Sequence, residues 1–323
     1  MSALITGGAG YVGSTLVDDL LKRDYRVISI DNLYRGDYRY LQAYKDNPSL
    51  RMEIADITKI EELEKVFKSG EEPDAIVHLA AIPGIVRCLE DPKRAILTNI
   101  LGTFNVLEIS RKYDIDKVIF ASSAAVFGIP KITPIKENYP LNPVNLYGVT
   151  KLAGEKNVES YNLSHGLNAI ILRLGNIYGV GLYTYWETVI PKFIKQSIMG
   201  EALTVYGTGE QSRDFIHVRD VTQAIILALN TKENSCETFN VSSGEATSIN
   251  MITDKISAIL KSEMKKEVKI KYLPPREDEP YVENFCLSID KIRDKMHFKP
   301  KWTIDEGIRQ LARYYLESEY GDS

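Results

Sequence analysis

Ala3-Leu4-Ile5-Thr6-Gly7-Gly8-Ala9-Gly10-Tyr11-Val12-Gly13 is the stretch on which the reading of this chain turns. Ala3 to Thr6 is a short apolar strand that runs directly into glycines. Gly8, Gly10 and Gly13 satisfy a G-x-G-x-x-G spacing, and Gly7, Gly10 and Gly13 equally fit the looser G-x-x-G-x-x-G form. In either register the first glycines allow a tight turn and Gly10 lets backbone approach a pyrophosphate. Gly13 lets the following helix, residues 11–23, pack on the strand with its N-terminal amides facing the phosphates. A glycine turn alone says little, so the context decides. Next comes a second strand, Arg26-Val27-Ile28-Ser29-Ile30, ending at Asp31. An acid there, about 20 residues past the loop, accepts hydrogen bonds from adenosine ribose hydroxyls and repels a 2′-phosphate. The expected cofactor is NAD rather than NADP.

Outward from this start, strands and helices alternate: a strand at 51–54, a charged helix at 59–68, and a buried strand at 75–81. A long helix at 92–113, a strand at 117–121, a helix at 145–165 and a strand at 169–173 follow. Apolar strands separated by helices of this length predict an α/β fold with a Rossmann-type doubly wound parallel sheet. After Gly175 the pattern changes. A helix at 187–199, the strand Leu203-Thr204-Val205-Tyr206, a strand at 215–218 and a helix at 220–229 lead to one more strand of the main sheet at 238–241. Beyond Ser248, helices and a strand at 268–273 are broken by Pro274-Pro275 and Pro280. This predicts a dinucleotide-binding domain over 1–175, to which the chain returns around 214–242. A smaller C-terminal substrate-binding region, mainly 176–323, completes a cleft between the two.

The chemistry is carried by Tyr147-Gly148-Val149-Thr150-Lys151, downstream of Ser122-Ser123. Tyrosine and lysine four apart on a helix share a face. An ammonium near a phenol favours the phenolate, so the spacing predicts a Tyr147 pKa drawn down towards working pH. A nearby serine hydroxyl shares the proton. Together these groups can take a proton from an alcohol while hydride leaves the same carbon. Asp56-Ile57 is placed to meet the adenine, and Leu79-Ala80-Ala81 to pass close to the cofactor. His78 reads as a core histidine. Asn99 either supports Lys151 through water or caps a local carbonyl. The expected cofactor contacts are therefore Gly7, Gly10, Tyr11, Val12, Gly13, Asp31, Asn32, Asp56, Ile57, Leu79, Ala80, Ala81, Asn99, Ser122, Tyr147 and Lys151.

At 323 residues and 36.5 kDa the chain can bury a large core, and 44% hydrophobic with 26% charged residues describes an ordinary globule. A net charge of −4 argues against nucleic acid as the main partner, so any phosphate site must come from local arginines and helix ends. Cys88, Cys236 and Cys286 are odd in number and lack metal-ligand spacing, so reduced thiols and no metal are expected. The first strand begins close to Met1 and no apolar run reaches the ~18 residues of a membrane span. A cytoplasmic enzyme without membrane contact is expected.

The ordered set of motifs resembles the extended short-chain dehydrogenase/reductase family, and within it the UDP-glucose 4-epimerases, over nearly the whole chain. It consists of Thr6 to Gly13, His78-Leu79-Ala80-Ala81, Ser122-Ser123-Ala124-Ala125-Val126-Phe127-Gly128, Tyr147 to Lys151, Arg173-Leu174-Gly175-Asn176-Ile177-Tyr178-Gly179 and Arg213 to Val221. The resemblance implies Ser123, Tyr147 and Lys151 as the catalytic group. It implies Asn176, Arg213 and Arg276 as holders of the UDP phosphates, with Val189 near the uracil and Tyr206 beside the base. A surface ion pair with adjacent acids is the other reading of Arg213 and Arg276. The implied activity is interconversion of UDP-glucose and UDP-galactose by transient C4 oxidation with tightly bound NAD. A UDP-glucuronate 4-epimerase, a nucleotide-sugar reductase and a non-catalytic NAD-sensing module are the alternatives. Dehydratases and decarboxylases of this family place an added acid or base just after the serine, where this chain has Ala124 and Ala125. The arginine that uronate epimerases carry near 179–183 is absent, although Arg87 or Lys192 could substitute. Phe285 aligns with the position that gates N-acetyl sugars. The family also implies a homodimer through the helices at 92–113 and 145–165, with Ile96, Ile100, Phe104 and Leu107 either at that interface or on the sheet.

Overall fold

The computed structural model describes residues 1–68, 70, 72–232, 235–275 and 282–320. The first half runs β1 (Ser2–Thr6), α1 (Tyr11–Leu21), β2 (Arg26–Asp31), β3 (Leu50–Ile54), α2 (Ile60–Lys68), β4 (Ala75–His78), α3 (Ile85–Glu90), α4 (Pro92–Ile96), α5 (Thr103–Lys112), β5 (Lys117–Ser123), α6 (Leu146–His165) and β6 (Ala169–Leu174). The second half runs β7 (Asn176–Tyr178), α7 (Val189–Ile198), β8 (Leu203–Tyr206), β9 (Ser212–His217), α8 (Val218–Asn230), β10 (Cys236–Val241), β11 (Ala246–Ser248), α9 (Ile249–Met264), β12 (Ile270–Leu273), α10 (Asp290–Met296) and α11 (Ile304–Tyr320).

Seven strands form one parallel sheet in the order β10-β6-β5-β4-β1-β2-β3. The order reverses between β1 and β4, so a crevice opens beyond their carboxyl ends. The interior strands β1, β2, β4, β5 and β6 are mostly apolar and buried because helices cover both faces, whereas the edge strands β3 and β10 carry more polar residues. On one face Leu16, Val17 and Leu20 of α1 and Val221, Ala224 and Ile225 of α8 share a core with Ile292 and Met296 of α10. On the other, α2, α5 and α6 supply Phe67, Leu107 and Val158. A separate core joins Ile194 of α7, Ile256 of α9 and Leu311 of α11. Thus α10, although late in the chain, packs with the main sheet. Two small sheets, β11-β9-β7 and β12-β8, reach the crevice through Asn176 and Ile177 of β7 and Tyr206 of β8.

Three of the expected boundaries that move do so for a local reason. β4 stops at His78, because the amides of Leu79 and Ala80 turn to the Thr6 hydroxyl at 3.1 Å each. Ser122 and Ser123 do not follow β5 but end it, paired with Arg173 and Leu174 of β6. The helix at 92–113 is interrupted by a wide π turn at Leu97–Gly102. There Gly102 abuts Ile57, whose Cδ1 would lie 2.5 Å from an added Cβ. Such turns recur at functional sites because they re-aim a side chain. Here that side chain is Asn99. The helix α3 and the helical turn Tyr38–Tyr44 add to the expected elements.

Candidate active site

The crevice is a cleft of about 1660 Å³ that brings together both regions of the chain. At its floor the structure chooses between the two glycine registers. Gly7 takes φ +70° beneath Ala80, and Gly10 donates to the Gly7 carbonyl at 3.1 Å. An added Cβ on Gly13 would lie 2.0 Å from that carbonyl oxygen. Gly8 instead faces Ser29, so the acting set is Gly7, Gly10 and Gly13. Gly10 caps α1 without a side-chain hydrogen bond and the first turn carries no acid, an arrangement that suits an anion at the helix N-terminus. Tyr11, Val12 and Gly13 of that turn line the cleft.

Asp31 ends β2 with its carboxylate held by the amides of Ala9 (3.2 Å) and Leu33 (2.8 Å). Burial raises its pKa and these two hydrogen bonds oppose the shift. Asn32 donates to Asp56 at 3.0 Å, and Asp56 with Ile57 continues the same wall. Leu79, Ala80 and Ala81 form the opposite wall. These residues fit a dinucleotide: an amide-rich turn for the pyrophosphate, a fixed carboxylate for a ribose, and small residues where backbone must come close.

The reacting end is built by β5 and α6. Asn145 caps α6 by accepting from the Gly148 amide at 2.9 Å, which fixes the first turn and Tyr147 on it. Ser123 accepts from the Ala125 amide at 3.2 Å and, with Ser122, Tyr147 and Lys151, lines the cleft. The expectation of a lowered Tyr147 pKa is corrected here. Burial pushes its phenol up to about 12, the Ser123 hydroxyl acts in the lowering direction, and the Cys88 thiol adds to the rise. Lys151 directs its ammonium at the Ala121 carbonyl, 2.9 Å away, and burial pushes it down to about 8. The Tyr-x-x-x-Lys spacing speaks of adjacency and is silent about desolvation, which here dominates both groups.

Beneath these residues lies a buried network that the sequence reading missed. Glu155, one turn beyond Lys151, receives Arg173 Nε at 3.0 Å, Arg173 Nη2 at 2.8 Å and the Ser122 hydroxyl at 2.5 Å. An arginine inside the apolar strand Ala169–Leu174 was the available signal, since a buried guanidinium demands a partner. Asn99 accepts from the Ile82 amide at 2.8 Å and donates to the Ile82 carbonyl (3.1 Å) and to Thr150 (3.0 Å). It thus engages backbone and Thr150 rather than Lys151, and it does not line the cleft.

On the substrate side, Asn176 and Tyr206 line the cleft, whereas Val189 and Arg213 are not among its lining residues. Arg213 donates to the carbonyls of Ser212 (2.8 Å) and Val282 (2.9 Å). Arg276 lies outside the described residues. Phe285 is buried in a cluster with Val126, Phe127, Ile135 and Leu287, behind the turn after Ser123. It therefore does not crowd a sugar substituent from the cleft wall. The expectation of an N-acetyl gate there is corrected.

His78 is a core group. Thr6 Oγ1 accepts two backbone amides, so its proton goes to His78 Nδ1 at 2.7 Å, and Nε2–H donates to Thr103 at 3.0 Å. His217, stacked on Trp302 at 4.0 Å, accepts from the Arg219 amide and donates to Gln310. Burial lowers the pKa of His78 to about 3 and of His217 to about 4. In the unfolded chain both bind a proton below roughly pH 6.5, so the folded state loses stability as pH falls from there towards pH 4. At pH 5 each should cost about 2 kcal/mol. Thermal melts should show this loss, and a His78→Gln variant should show a shallower one; equal slopes would exclude His78 as a source.

The profile of the NAD dependent epimerase/dehydratase family matches residues 3–242. A putative UDP-glucose 4-epimerase of Methanocaldococcus jannaschii is 38% identical over 96% of this chain and 97% of its own length. The crystal structure of a UDP-glucose 4-epimerase of Thermotoga maritima with UDP-glucose superposes with a TM-score of 0.89. It is 31% identical and covers 98% of this chain and 99% of its own. A UDP-N-acetylglucosamine 4-epimerase of Methanobrevibacter ruminantium, solved with UDP-N-acetylmuramic acid, gives a TM-score of 0.88. It is also 31% identical, over 98% of each chain. With a glycine cradle, a ribose-binding acid and the serine, tyrosine and lysine gathered in one cleft, this chain belongs to the NAD-dependent epimerase/dehydratase family and is an enzyme that works with NAD.

Proposed function

We propose that the chain interconverts UDP-glucose and UDP-galactose. The observation that carries this reading is the turn after Ser123. Ala124–Phe127 form a short helical turn whose first two side chains are methyl groups. Elimination needs a further acid and base beside the oxidised carbon, and the family's decarboxylases carry a glutamate in this segment; this turn supplies neither. The Cys88 thiol nearby is pushed up to about 11 by burial and keeps its proton. What remains is oxidation and re-reduction at one carbon. Ser123 and Tyr147 take the proton of the sugar C4 hydroxyl and return one to the opposite configuration, a task worth typically ~10²–10⁴-fold in rate. When bound, NAD supplies the hydride acceptor and a positive charge in the cleft. Lys151 orders this end of the site by tying α6 to the end of β5. Asn176 and Tyr206 are offered to the nucleotide, with Val189, Arg213 and Arg276 expected from the family resemblance.

The absent arginine favours a neutral hexose over a uronate, and of its two possible substitutes Arg87 is paired with Glu187 and hydrogen-bonded to the Tyr185 hydroxyl at 2.8 Å, which leaves Lys192 on the cleft wall as the other. Incubation of the purified chain with UDP-galactose and no added nicotinamide should yield UDP-glucose. No conversion, faster conversion of UDP-glucuronate, or a 4-keto-6-deoxy product would each overturn the proposal.

We also propose a homodimer through α4, the π turn, α5 and α6. Ile96 and Phe104 are 46% and 42% exposed, beside exposed Leu97 and Leu101, whereas Leu107 packs into the sheet core. Light scattering that returned the mass of one chain would refute it. Among the described residues no helix is long and apolar enough to cross a membrane.

A further inference from the structure

Residues 179–188 pass from β7 to α7 across the first turns of α1, the helix that follows the glycine loop. The first part is seated on α1: Tyr11 donates its hydroxyl to the Gly179 carbonyl at 2.7 Å, and the amides of Leu182 and Tyr183 donate to Thr15 and Ser14 at 3.3 Å each. The second part, Tyr185 to Thr188, lines the same cleft as Gly7, Gly10 and Asp31.

Two arginines from outside this segment converge on it. Arg35 lies in the loop after β2, and Arg87 lies on α3, after β4. β2 and β4 flank β1 on its two sides, so the arginines stand on opposite banks of the groove that starts at the β1 loop. Glu187 joins them. One carboxylate oxygen is 3.7 Å from Arg35 Nη2 and the other is ion-paired with Arg87. The Tyr185 hydroxyl accepts from Arg87 Nε and donates to Glu187 at 2.9 Å, and both guanidinium carbons lie within 5.6 Å of its ring centroid. A second contact makes the same crossing, with Arg94 of α4 stacked 4.1 Å over the ring of Tyr34. No step of the proposed sugar chemistry uses these residues.

We infer that Glu187 is a positioning residue for the cofactor: through Arg35 and Arg87 it fastens residues 181–188 as a strap across the dinucleotide groove, and the bridge must break before NAD or NADH can leave. The carboxylate is 59% exposed, so the bridge faces water and salt screens it. The inference rests on the family's cofactor and is independent of which sugar is turned over.

The test is the release rate of NADH from the full-length protein, followed by its fluorescence during a chase with excess NAD⁺. Glu187→Gln keeps a hydrogen-bonding group beside Tyr185 but removes the charge that joins the two banks. Release should quicken about tenfold, as expected for loss of two partly exposed ion pairs, while Glu187→Asp should restore part of the difference. If the arginines instead serve the phosphates directly, freeing them from Glu187 should slow release. Slower or unchanged release in a variant with wild-type circular dichroism overturns the strap. The wild-type protein supplies an arm that needs no variant. Raising salt from about 0.01 M to 1 M shortens the Debye length from roughly 30 Å to 3 Å and should speed wild-type release towards the Gln rate. A wild-type release rate indifferent to salt also overturns it.

Discussion

Turnover is expected to fall by ~10²–10⁴-fold when Tyr147 is replaced by phenylalanine, with the cofactor still bound. The substitution removes one oxygen and leaves the ring, which packs against Ile82, Cys88 and Ala95. The fold of α6 and the glycine cradle should therefore be unchanged. Burial already holds the phenol at about 12, and the Ser123 hydroxyl is the neighbour that acts in the lowering direction. Without the phenol, Ser123 is left alone to accept a proton, a task for which an aliphatic hydroxyl is poorly suited. The comparison to make is epimerisation rate against NAD content of the purified variant. A Tyr147→Phe protein that turned over at a wild-type rate would remove the tyrosine from the reaction. One that lost its NAD would make Tyr147 a binding residue instead.

The second large effect is on stability. Glu155→Ala should destabilise the fold by about 3–5 kcal/mol, because it leaves a guanidinium buried without its counter-charge. Arg173 is 3% exposed and Glu155 is fully buried, so water cannot take the place of the lost carboxylate. The Ser122 hydroxyl loses its acceptor in the same step. Replacing both members by methionine should recover most of the loss, since a well-packed apolar pair avoids the desolvation of two charges. Denaturant unfolding of the single and double variants separates the two cases. A single variant within about 1 kcal/mol of wild type would show that the pair is not what holds β5, β6 and α6 together. Lys151 sits one helical turn before Glu155, so the single variant should also lose activity more steeply than the double.

Much of this architecture was legible in the residues. A short apolar strand, a glycine turn, an amphipathic helix and an acid after the second strand define a dinucleotide crevice by local chemistry alone. The sheet followed because strands buried on both faces are apolar throughout and need no partner to be recognised. What was not legible depends on distant contacts. The π turn at Leu97–Gly102 arises because Asn99 must reach Ile82, and nothing within 92–113 reports where Ile82 lies. β5 extends to Ser123 only because Arg173 and Leu174 continue beside it. The Tyr147 pKa escapes the motif because spacing gives the distance between two groups and not the water lost by each. Phe285 was placed by likeness to relatives, and here its own neighbours turn it towards the core. Glu187 carries no motif at all: its arginine partners come from the loop after β2 and from α3, about 150 and 100 residues earlier.

β10 pairs along its length with β6, yet the whole of 175–235 is synthesised between them. On the ribosome, therefore, the open margin of β6 waits for its last neighbour while β7, α7, β8, β9 and α8 are being made. Exposed margins of this kind recruit foreign strands. Cutting the gene after residue 175 would make that transient condition permanent, so the nucleotide-binding half is not a unit that can be lifted out and reused by itself.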